Sequence, residues 1–177
     1  MESNEISKIL EVYHSKDYSD KIIRWRDFLK VSTGDYHNLS NSWLSLTKFK
    51  EFDFVRDIIN KDLQNINNDY RCANFDIPNG AYQGPITFMI YKKGDFITEH
   101  RDGSSYGGGI LSSTYNFQMG GGYLLNNEYK GGNFILDGKK LEVGVGEVFT
   151  YGRDVLHEVT EVIEGIRYSL HFFIDKV

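Results

Sequence analysis

The sequence predicts a mainly β fold, a sandwich or a jelly-roll barrel, with helices from its N-terminal part packed on the outside. The first seventy residues carry apolar side chains at helical spacing, whereas from Tyr70 onwards short apolar runs alternate with glycine, proline and other turn residues. Eight such runs at close spacing are typical of a sandwich or barrel. We therefore predict one domain over residues 1–177, with 1–69 as a helical buttress and 70–177 as the β core.

The helices are predicted from apolar residues that recur three and four positions apart and so share one helical face. The third such stripe predicts a helix from about Lys50 to Asn67. A polar loop, Ser32–Ser42, precedes it, and Trp43 and the leucines that follow either lead into the helix or cover the sheet. The apolar stripes are Ile6, Ile9, Leu10 and Tyr13, then Ile22, Trp25, Phe28 and Leu29, then Phe52, Val55, Ile59, Leu63 and Ile66.

The strands are predicted from runs rich in β-branched and aromatic residues. Turn signals such as Asp137-Gly138 and Glu164-Gly165 separate them. Two glycine runs, Gly107–Gly109 and Gly120–Gly122, are either plain turns or a mobile lid over a substrate. The predicted strands are Ile86–Tyr91, Ile97–His100, Ile110–Gln118, Asn133–Leu136, Lys140–Val143, Glu147–Tyr151, Leu156–Ile163 and Ile166–Ile174.

Composition narrows the class of protein. A net charge of −5 argues against a dedicated nucleic-acid binder, which carries a basic footprint. The single cysteine, Cys72, cannot form an intramolecular disulfide and fits a reducing compartment. The sequence shows no signal peptide and no apolar run long enough to span a membrane, so we expect a soluble, cytoplasmic protein.

A metal site is suggested by His100 and Asp102, at the end of a predicted strand. Residues i and i+2 of a strand point to the same face, so the imidazole and the carboxylate project together and can hold one metal ion. His157, in a later β-prone run, can supply a third ligand. Two histidines and a carboxylate form the facial triad of non-haem Fe(II) oxygen chemistry. By itself, however, a His-x-Asp pair is weak evidence for a metal, because it occurs more often at a solvated strand end.

An anion site is suggested by Arg167, ten residues after His157. Alternation along the last strand places Arg167, Ser169 and His171 on one face. If that face points inward, the buried guanidinium needs a carboxylate or phosphate partner, which a bound dicarboxylate would supply. We expect the Glu164-Gly165 turn to bring Arg167 back near His157.

In this order and spacing, the motifs Tyr-x-x-Gly, His-x-Asp, Glu-Tyr-x-Gly-Gly, His and Arg resemble those of the Fe(II)/2-oxoglutarate-dependent dioxygenases of the prolyl 4-hydroxylase type. The resemblance covers Ile86 to Ile174, the whole predicted barrel. The matching residues are Tyr91, Gly94, His100, Asp102, Glu128-Tyr129-Lys130-Gly131-Gly132, Gly146, His157 and Arg167.

The resemblance implies a double-stranded β-helix core of the jelly-roll or cupin-like type. It also implies that His100, Asp102 and His157 hold Fe(II) and are the catalytic centre. The cosubstrates would be 2-oxoglutarate and O2, and the coproducts succinate and CO2.

For the cosubstrate, the resemblance implies that Arg167 pairs with the distal carboxylate of 2-oxoglutarate and that Tyr91 hydrogen-bonds the same group. Ser169 completes an Arg-x-Ser arrangement as a supporting donor. The family often carries lysine where this chain has Arg167. The segment from Glu128 to Gly132 matches a structural turn of the family.

The substrate implied by the resemblance is a prolyl or other amino-acid side chain in a protein, a peptide or a free amino acid. A nucleobase-oxidising oxygenase is an alternative, but it predicts a basic groove and a second arginine six residues after the first, where this chain has Phe173. A non-catalytic barrel that binds a metal or a small molecule is another. The oligomeric state is left open.

Five further residues have two interpretations each. Arg101 is either solvated or at a substrate rim, and Arg153 forms a surface ion pair or meets substrate. Tyr115 and Phe117 pack in the core or cross the site. His171 is a core histidine or a contact of the ligands or substrate.

Overall fold

The computed structural model describes residues 1–24, 40–66, 84–102 and 117–175. Within these ranges, no helix is both long and apolar enough to cross a membrane.

Two α-helices are described, α1 (Ser3–Ser15) and α2 (Asp53–Ile66). Two short 3-10 turns, Leu46–Lys48 and Lys50–Phe52, lead into α2. The helix predicted over Lys50–Asn67 is thus present, and its first turn is of the tighter kind.

Eleven strands are described, and every pairing between them is antiparallel. They are β1 (Ile23–Arg24), β2 (Ser42–Ser45), β3 (Ile86–Lys92), β4 (Ile97–His100), β5 (Phe117–Leu124), β6 (Tyr129–Gly131), β7 (Phe134–Leu136), β8 (Lys139–Lys140), β9 (Val148–Gly152), β10 (His157–Val159) and β11 (Val162–Asp175).

The strands form two sheets. The larger sheet has the order β1-β2-β3-β11-β5-β9, with β6 paired to the beginning of β11, and the smaller has the order β4-β10-β7-β8. Aromatic side chains fill the space between them: the rings of Phe134 on β7 and Phe149 on β9 lie 5.0 Å apart. The predicted mainly β fold with a double-stranded β-helix core and flanking helices is confirmed.

The helices cover the outer face of the larger sheet. Ile9 of α1 and Ile59 and Leu63 of α2 share a fully buried apolar cluster with Leu170 and Phe172 of β11. Because β11 alternates, the polar residues between these two point the other way, into the space between the sheets. The helices therefore fix which face of β11 becomes the interior.

The segment after the predicted loop does not cover the sheet but forms a strand of it, and it then continues through the two 3-10 turns into α2. Trp43 of β2 pairs with Met89 of β3, so β2 extends the larger sheet. The interpretations of Trp25–Leu29, Gly107–Gly109 and Tyr115 lie outside the described residues. That residues 1–177 form one domain stays a prediction.

The turn predicted at Glu164-Gly165 is wrong. Both residues lie inside β11, where Gly165 pairs with Tyr129 of β6. Gly165 has a φ of +79°, and a Cβ there would lie 2.5 Å from the Glu128 carbonyl oxygen, so only glycine fits. This glycine lets β11 continue while its pairing passes from β6 to β3, and the link from β10 to β11 is residues 160–161.

Both interpretations of Gly120–Gly122 are also wrong, because these glycines form the middle of β5. A Cβ on Gly120 would lie 2.7 Å from Tyr151 Cζ, and one on Gly122 would lie 2.4 Å from the Leu170 carbonyl oxygen. The neighbouring strands and their aromatic side chains occupy the space that side chains on β5 would need. Close packing, and not flexibility, explains this glycine run.

Gly122→Ala is expected to destabilise the fold by about 1–3 kcal/mol, as overpacking of a close-packed site does. The matched control is Gly152→Ala at the end of β9, where the nearest atom to a new Cβ is Val155 Cγ2 at 3.5 Å, an ordinary contact. Urea unfolding curves measure both. Equal losses in the two variants would contradict the packing explanation.

Candidate metal centre

The pairing of β4 with β10 brings the two predicted histidine ligands together. His100, the last residue of β4, lies directly opposite His157, the first residue of β10. Opposite residues of an antiparallel pair project from the same face. The two imidazole rings accordingly have centroids 4.2 Å apart.

Asp102 completes the cluster two residues after His100. Its Oδ1 lies 3.3 Å from His100 Nε2 and 3.5 Å from His157 Nε2. One potential ligand atom from each of the three residues lies within 4.8 Å of the others. The His-x-Asp pair and the distant histidine, separate in sequence, thus meet at one point of the interior.

The histidine tautomers favour a cation at this point. His100 Nδ1 lies 2.8 Å from the Thr98 carbonyl oxygen, and His157 Nδ1 lies 3.0 Å from the Val155 carbonyl oxygen. Because a carbonyl only accepts hydrogen bonds, each Nδ1 carries the proton and each Nε2 presents a lone pair. These lone pairs face the Asp102 carboxylate, so all three groups are acceptors, as metal ligation requires.

Asp102 supports the same conclusion. Its second oxygen, Oδ2, is buried and has no hydrogen-bond partner in the described part of the chain. Burial raises the pKa of this carboxyl, but in the metal-free protein protons taken up on the Nε2 atoms of His100 and His157 give Asp102 hydrogen-bond donors and positive charge, which hold the pKa well below its usual range; a metal ion would take the place of these protons. The carboxylate is therefore ionised, and the residues present fit a divalent metal ion. Two histidines and one carboxylate with open positions are the donor set typical of non-haem Fe(II).

Arg167 lies on the larger sheet, on the inner face of β11, which is one of the two orientations that the alternation left open. It is 3% exposed and sits opposite Tyr91 of β3, with its guanidinium carbon 4.9 Å from the centre of the tyrosine ring. Its Nη1 donates a 2.8 Å hydrogen bond to Ser169 Oγ, and its Nε is buried without a hydrogen-bond partner among the residues that the structure describes. No carboxylate within the described ranges lies at ion-pair distance from it.

A buried guanidinium without a carboxylate is costly, so this pocket is suited to an anionic ligand. Gly132, the residue after β6, borders the same side chain. Gly132 has a φ of +59°, and a Cβ there would lie 3.0 Å from Arg167 Cδ. The absence of a side chain at Gly132 thus leaves room for Arg167 at the end of β6.

Tyr151 of β9 is an interior residue that the sequence analysis did not select. Its Oη lies 2.5 Å from His171 Nε2, and its ring centroid is 4.5 Å from that of His157. Burial and the Asp102 charge raise the pKa of Tyr151 well above its usual value, so the phenol stays protonated and forms a hydrogen bond with His171 Nε2. Period-two alternation with Phe149 was the available signal, since it puts both rings on the inner face.

The other candidates lie at the periphery or remain untested. Arg101 is exposed and its Nη1 donates to the Asp154 carbonyl oxygen, while Arg153 Nε lies 3.9 Å from Asp154 Oδ1. The contact of Arg101 with Asp154 joins the chain after β4 to the chain before β10, whereas Arg153 contacts its own neighbour in the sequence. For Phe117 the structure places only the backbone, at the start of β5.

No protein-family model and no curated protein matches the chain. Solved structures do match. A prolyl-4-hydroxylase from Pseudomonas putida superposes with a TM-score of 0.64 at 15% identity, covering 100% of this chain and 89% of its own. The chain has the prolyl hydroxylase fold. At this level of identity, the likeness confirms the resemblance at the level of the fold.

Two further prolyl hydroxylases agree. The viral collagen prolyl hydroxylase of Paramecium Bursaria Chlorella virus-1, solved as its 2-oxoglutarate complex, gives a TM-score of 0.63 at 13% identity, covering 100% of this chain and 92% of its own. The prolyl hydroxylase of Trichoplax adhaerens, solved with a fragment of the hypoxia inducible factor oxygen degradation domain, gives a TM-score of 0.66 at 14% identity. The match covers 98% of this chain and 78% of its own. The shared fold thus extends over nearly the whole chain, including its N-terminal part.

His157→Ala is expected to abolish binding of Fe(II) or Mn(II), because it removes one of the three ligands and leaves only His100 and Asp102 to hold the metal. Isothermal titration of the metal-free protein under anaerobic conditions measures this. His14→Ala, on α1 and outside the barrel, is the control and should bind metal normally. Unchanged metal affinity in His157→Ala would show that the ligand assignment is wrong.

His171 is expected to make the metal-free protein less stable in acid. Burial lowers the pKa of His171 from 6.5 to about 4. The unfolded chain therefore binds more protons than the folded one between these values, and stability is full above pH 6.5 and lost as the pH falls towards 4.

The measurement is the free energy of unfolding of wild type and His171→Gln in the presence of a chelator, over this pH range. As the pH falls, the free energy of unfolding of the wild type should decrease relative to that of His171→Gln. A difference independent of pH would exclude a depressed pKa at His171.

Proposed function

We propose that this chain is a dioxygenase that uses Fe(II), 2-oxoglutarate and O2 to hydroxylate a C–H bond. One observation carries the proposal. The same interior holds a cluster of three metal-ligand side chains that are all acceptors and a buried arginine that has no carboxylate partner among the described residues. A divalent cation would satisfy the cluster of acceptors, and a carboxylate would pair with the arginine. A dicarboxylic 2-oxo acid can serve both, because its 2-oxo acid end can bind the metal and its distal carboxylate can pair with the arginine.

In this proposal, His100, Asp102 and His157 hold the metal through His100 Nε2, an Asp102 carboxylate oxygen and His157 Nε2. The carbonyl oxygens of Thr98 and Val155 keep the rings in the required tautomer. These two contacts orient the ligands before any metal arrives.

Arg167 binds the distal carboxylate of 2-oxoglutarate with its guanidinium fork. The hydrogen bond from Nη1 to Ser169 Oγ sets the orientation of the fork. Burial raises the pKa of Tyr91 to about 12, although Arg167 opposes the shift, so the phenol keeps a proton that it can donate to the same carboxylate.

When bound, Fe(II) with 2-oxoglutarate and O2 supplies an oxidant for C–H bonds and yields succinate and CO2. The chain's contribution is to orient and to exclude water. The aromatic residues between the sheets, among them Phe134, Phe149 and Tyr151, remove bulk water from the interior. The charged groups there act in a medium where hydrogen bonds and ion pairs are stronger.

For the substrate, we propose a prolyl or other amino-acid side chain in a protein, a peptide or a free amino acid. The support is that the Trichoplax adhaerens structure contains a peptide fragment and that the viral protein is a collagen prolyl hydroxylase. The net charge of −5 and Phe173 in place of a second arginine do not favour a nucleobase.

The direct test is anaerobic reconstitution with Fe(II), addition of 2-oxoglutarate, and then exposure to O2. We expect an Fe(II)–2-oxoglutarate charge-transfer band, followed by succinate formation from labelled 2-oxoglutarate that increases with a suitable prolyl peptide. If neither the charge-transfer band nor succinate appeared, the dioxygenase proposal would be wrong and a non-catalytic barrel would be the remaining interpretation.

Arg167→Met is expected to weaken 2-oxoglutarate binding by roughly a hundredfold or more, because it removes the guanidinium and leaves the distal carboxylate buried without a cation. Metal binding should be unchanged. Arg167→Lys keeps the charge but loses the fork, so its loss should be smaller. Calorimetric titration of 2-oxoglutarate into the Mn(II)-loaded, oxygen-free protein compares the three. If Arg167→Met bound 2-oxoglutarate like wild type, the carboxylate would lie elsewhere.

A further inference from the structure

Asn41, just before β2, has a fully buried side-chain amide. It is 0% exposed, and neither Nδ2 nor Oδ1 has a hydrogen-bond partner within the residues that the structure describes. Leaving a buried polar group unpaired costs about 1–3 kcal/mol, and such groups are uncommon in folded proteins. Neither the metal ligands nor the contacts of Arg167 account for this amide.

The register of β2 shows which way Asn41 points. Ser42 pairs with Ile90 and Trp43 with Met89, so Asn41 comes opposite Tyr91 on β3. Trp43 packs against the aromatic cluster between the sheets, whereas the neighbouring Leu44 belongs to the cluster on the helix side. Since residues i and i+2 share a face, Asn41 points into the interior with Trp43.

Tyr91 links Asn41 to the arginine. On its other side it pairs with Arg167 of β11, so Asn41 and Arg167 flank the same buried tyrosine on the inner face of three adjacent strands. Arg167 also has a donor, its Nε, that is unpaired within the described part of the chain. Among the described residues, the inner face therefore carries a charged and a neutral buried donor without partners, one on each side of Tyr91.

The backbone at Asn41 is held in place. Ser40 N donates to the Phe96 carbonyl oxygen at 3.1 Å, and Phe96 N donates to Ser40 Oγ at 2.9 Å. This double contact fastens the residue before Asn41 to the segment that follows β3. The amide is thus presented from a fixed position, as a binding group should be.

We propose that Asn41 belongs to the cosubstrate pocket and that its Nδ2 donates a hydrogen bond to the carboxylate that Arg167 binds. The ligand class is a dicarboxylic 2-oxo acid, so this inference rests on the proposed function. Arg167 supplies the charge, and Asn41 supplies a neutral donor from the opposite side of Tyr91. The Asn41 Oδ1 accepts a hydrogen bond from a water bound with the ligand.

The test is titration of 2-oxoglutarate into Mn(II)-loaded, oxygen-free protein, with wild type, Asn41→Ala and the isosteric Asn41→Asp. Asn41→Ala should raise the Kd about tenfold, the effect of one lost hydrogen bond to a charged group. Asn41→Asp should raise it at least as much, because a carboxylate replaces the donor. Mn(II) affinity should not change in either variant.

Thr150→Val is the matched control. The Thr150 hydroxyl is also buried without a partner in the described ranges, but it lies between the inward-facing Phe149 and Tyr151 and so points to the opposite face of the sheet. This variant should keep the wild-type Kd. It also shows how removal of an unpaired buried polar group affects stability when no ligand is concerned.

Thermal melting of the ligand-free protein separates binding from structure. A ligand-binding amide is unpaired in the empty protein, so Asn41→Ala should not lower the Tm but should reduce the Tm increase that 2-oxoglutarate produces. A lower Tm with wild-type Kd would mean a structural role and overturn the inference. If Asn41→Ala did not fold, the Kd of Asn41→Asp would decide.

The two proposals fail in different ways. If wild type binds 2-oxoglutarate and both Asn41 variants bind it equally well, only the role of Asn41 is wrong. If wild type binds metal but no 2-oxoglutarate, the proposed function fails, and the inference fails with it.

Discussion

Burial of polar groups between two sheets is the constraint on which the rest of this structure depends. The interior holds a carboxylate, two imidazole lone pairs and a guanidinium, surrounded by aromatic rings. Each of these groups loses favourable hydration when the sheets close over it. The chain compensates some of the loss itself, through Thr98, Val155 and Ser169, and leaves specific atoms unpaired. Those unpaired atoms define what a ligand must offer.

The two sheets supply different parts of the candidate site. The smaller sheet provides His100 and His157 from adjacent strands, and the larger sheet provides Arg167, Tyr91 and Ser169 from another adjacent pair. Each half of the site is thus built by direct strand pairing, which fixes distances within it. The helices on the outside turn the apolar face of β11 away from the interior, so that its polar face lines the pocket.

Much of the site follows from sequence because period-two alternation is a local property. It put His100 and Asp102 on one face and grouped Arg167 with Ser169 on one face of the last strand, although it did not say which face points inward. Strand pairing is not a local property, and the sequence did not predict all of it. The pairing of β2 with β3 could not be read from four residues, and therefore neither could the place of Asn41 beside Tyr91. The turns predicted at these glycines were wrong for the same reason. Gly122 and Gly165 are required by atoms of other strands, which the local sequence does not show.

Both metal-site histidines are tethered to a backbone carbonyl two residues earlier in their own chain segment, at Thr98 and Val155. Backbone carbonyls are present whatever the side chain. The orientation of the ligands is therefore insensitive to substitution at the two tethering positions, in contrast to sites in which a carboxylate side chain holds the histidine. Such a centre tolerates sequence drift as long as β4 and β10 stay paired. The geometry of the candidate centre therefore depends on the backbone of these two strands more than on the side chains beside the histidines.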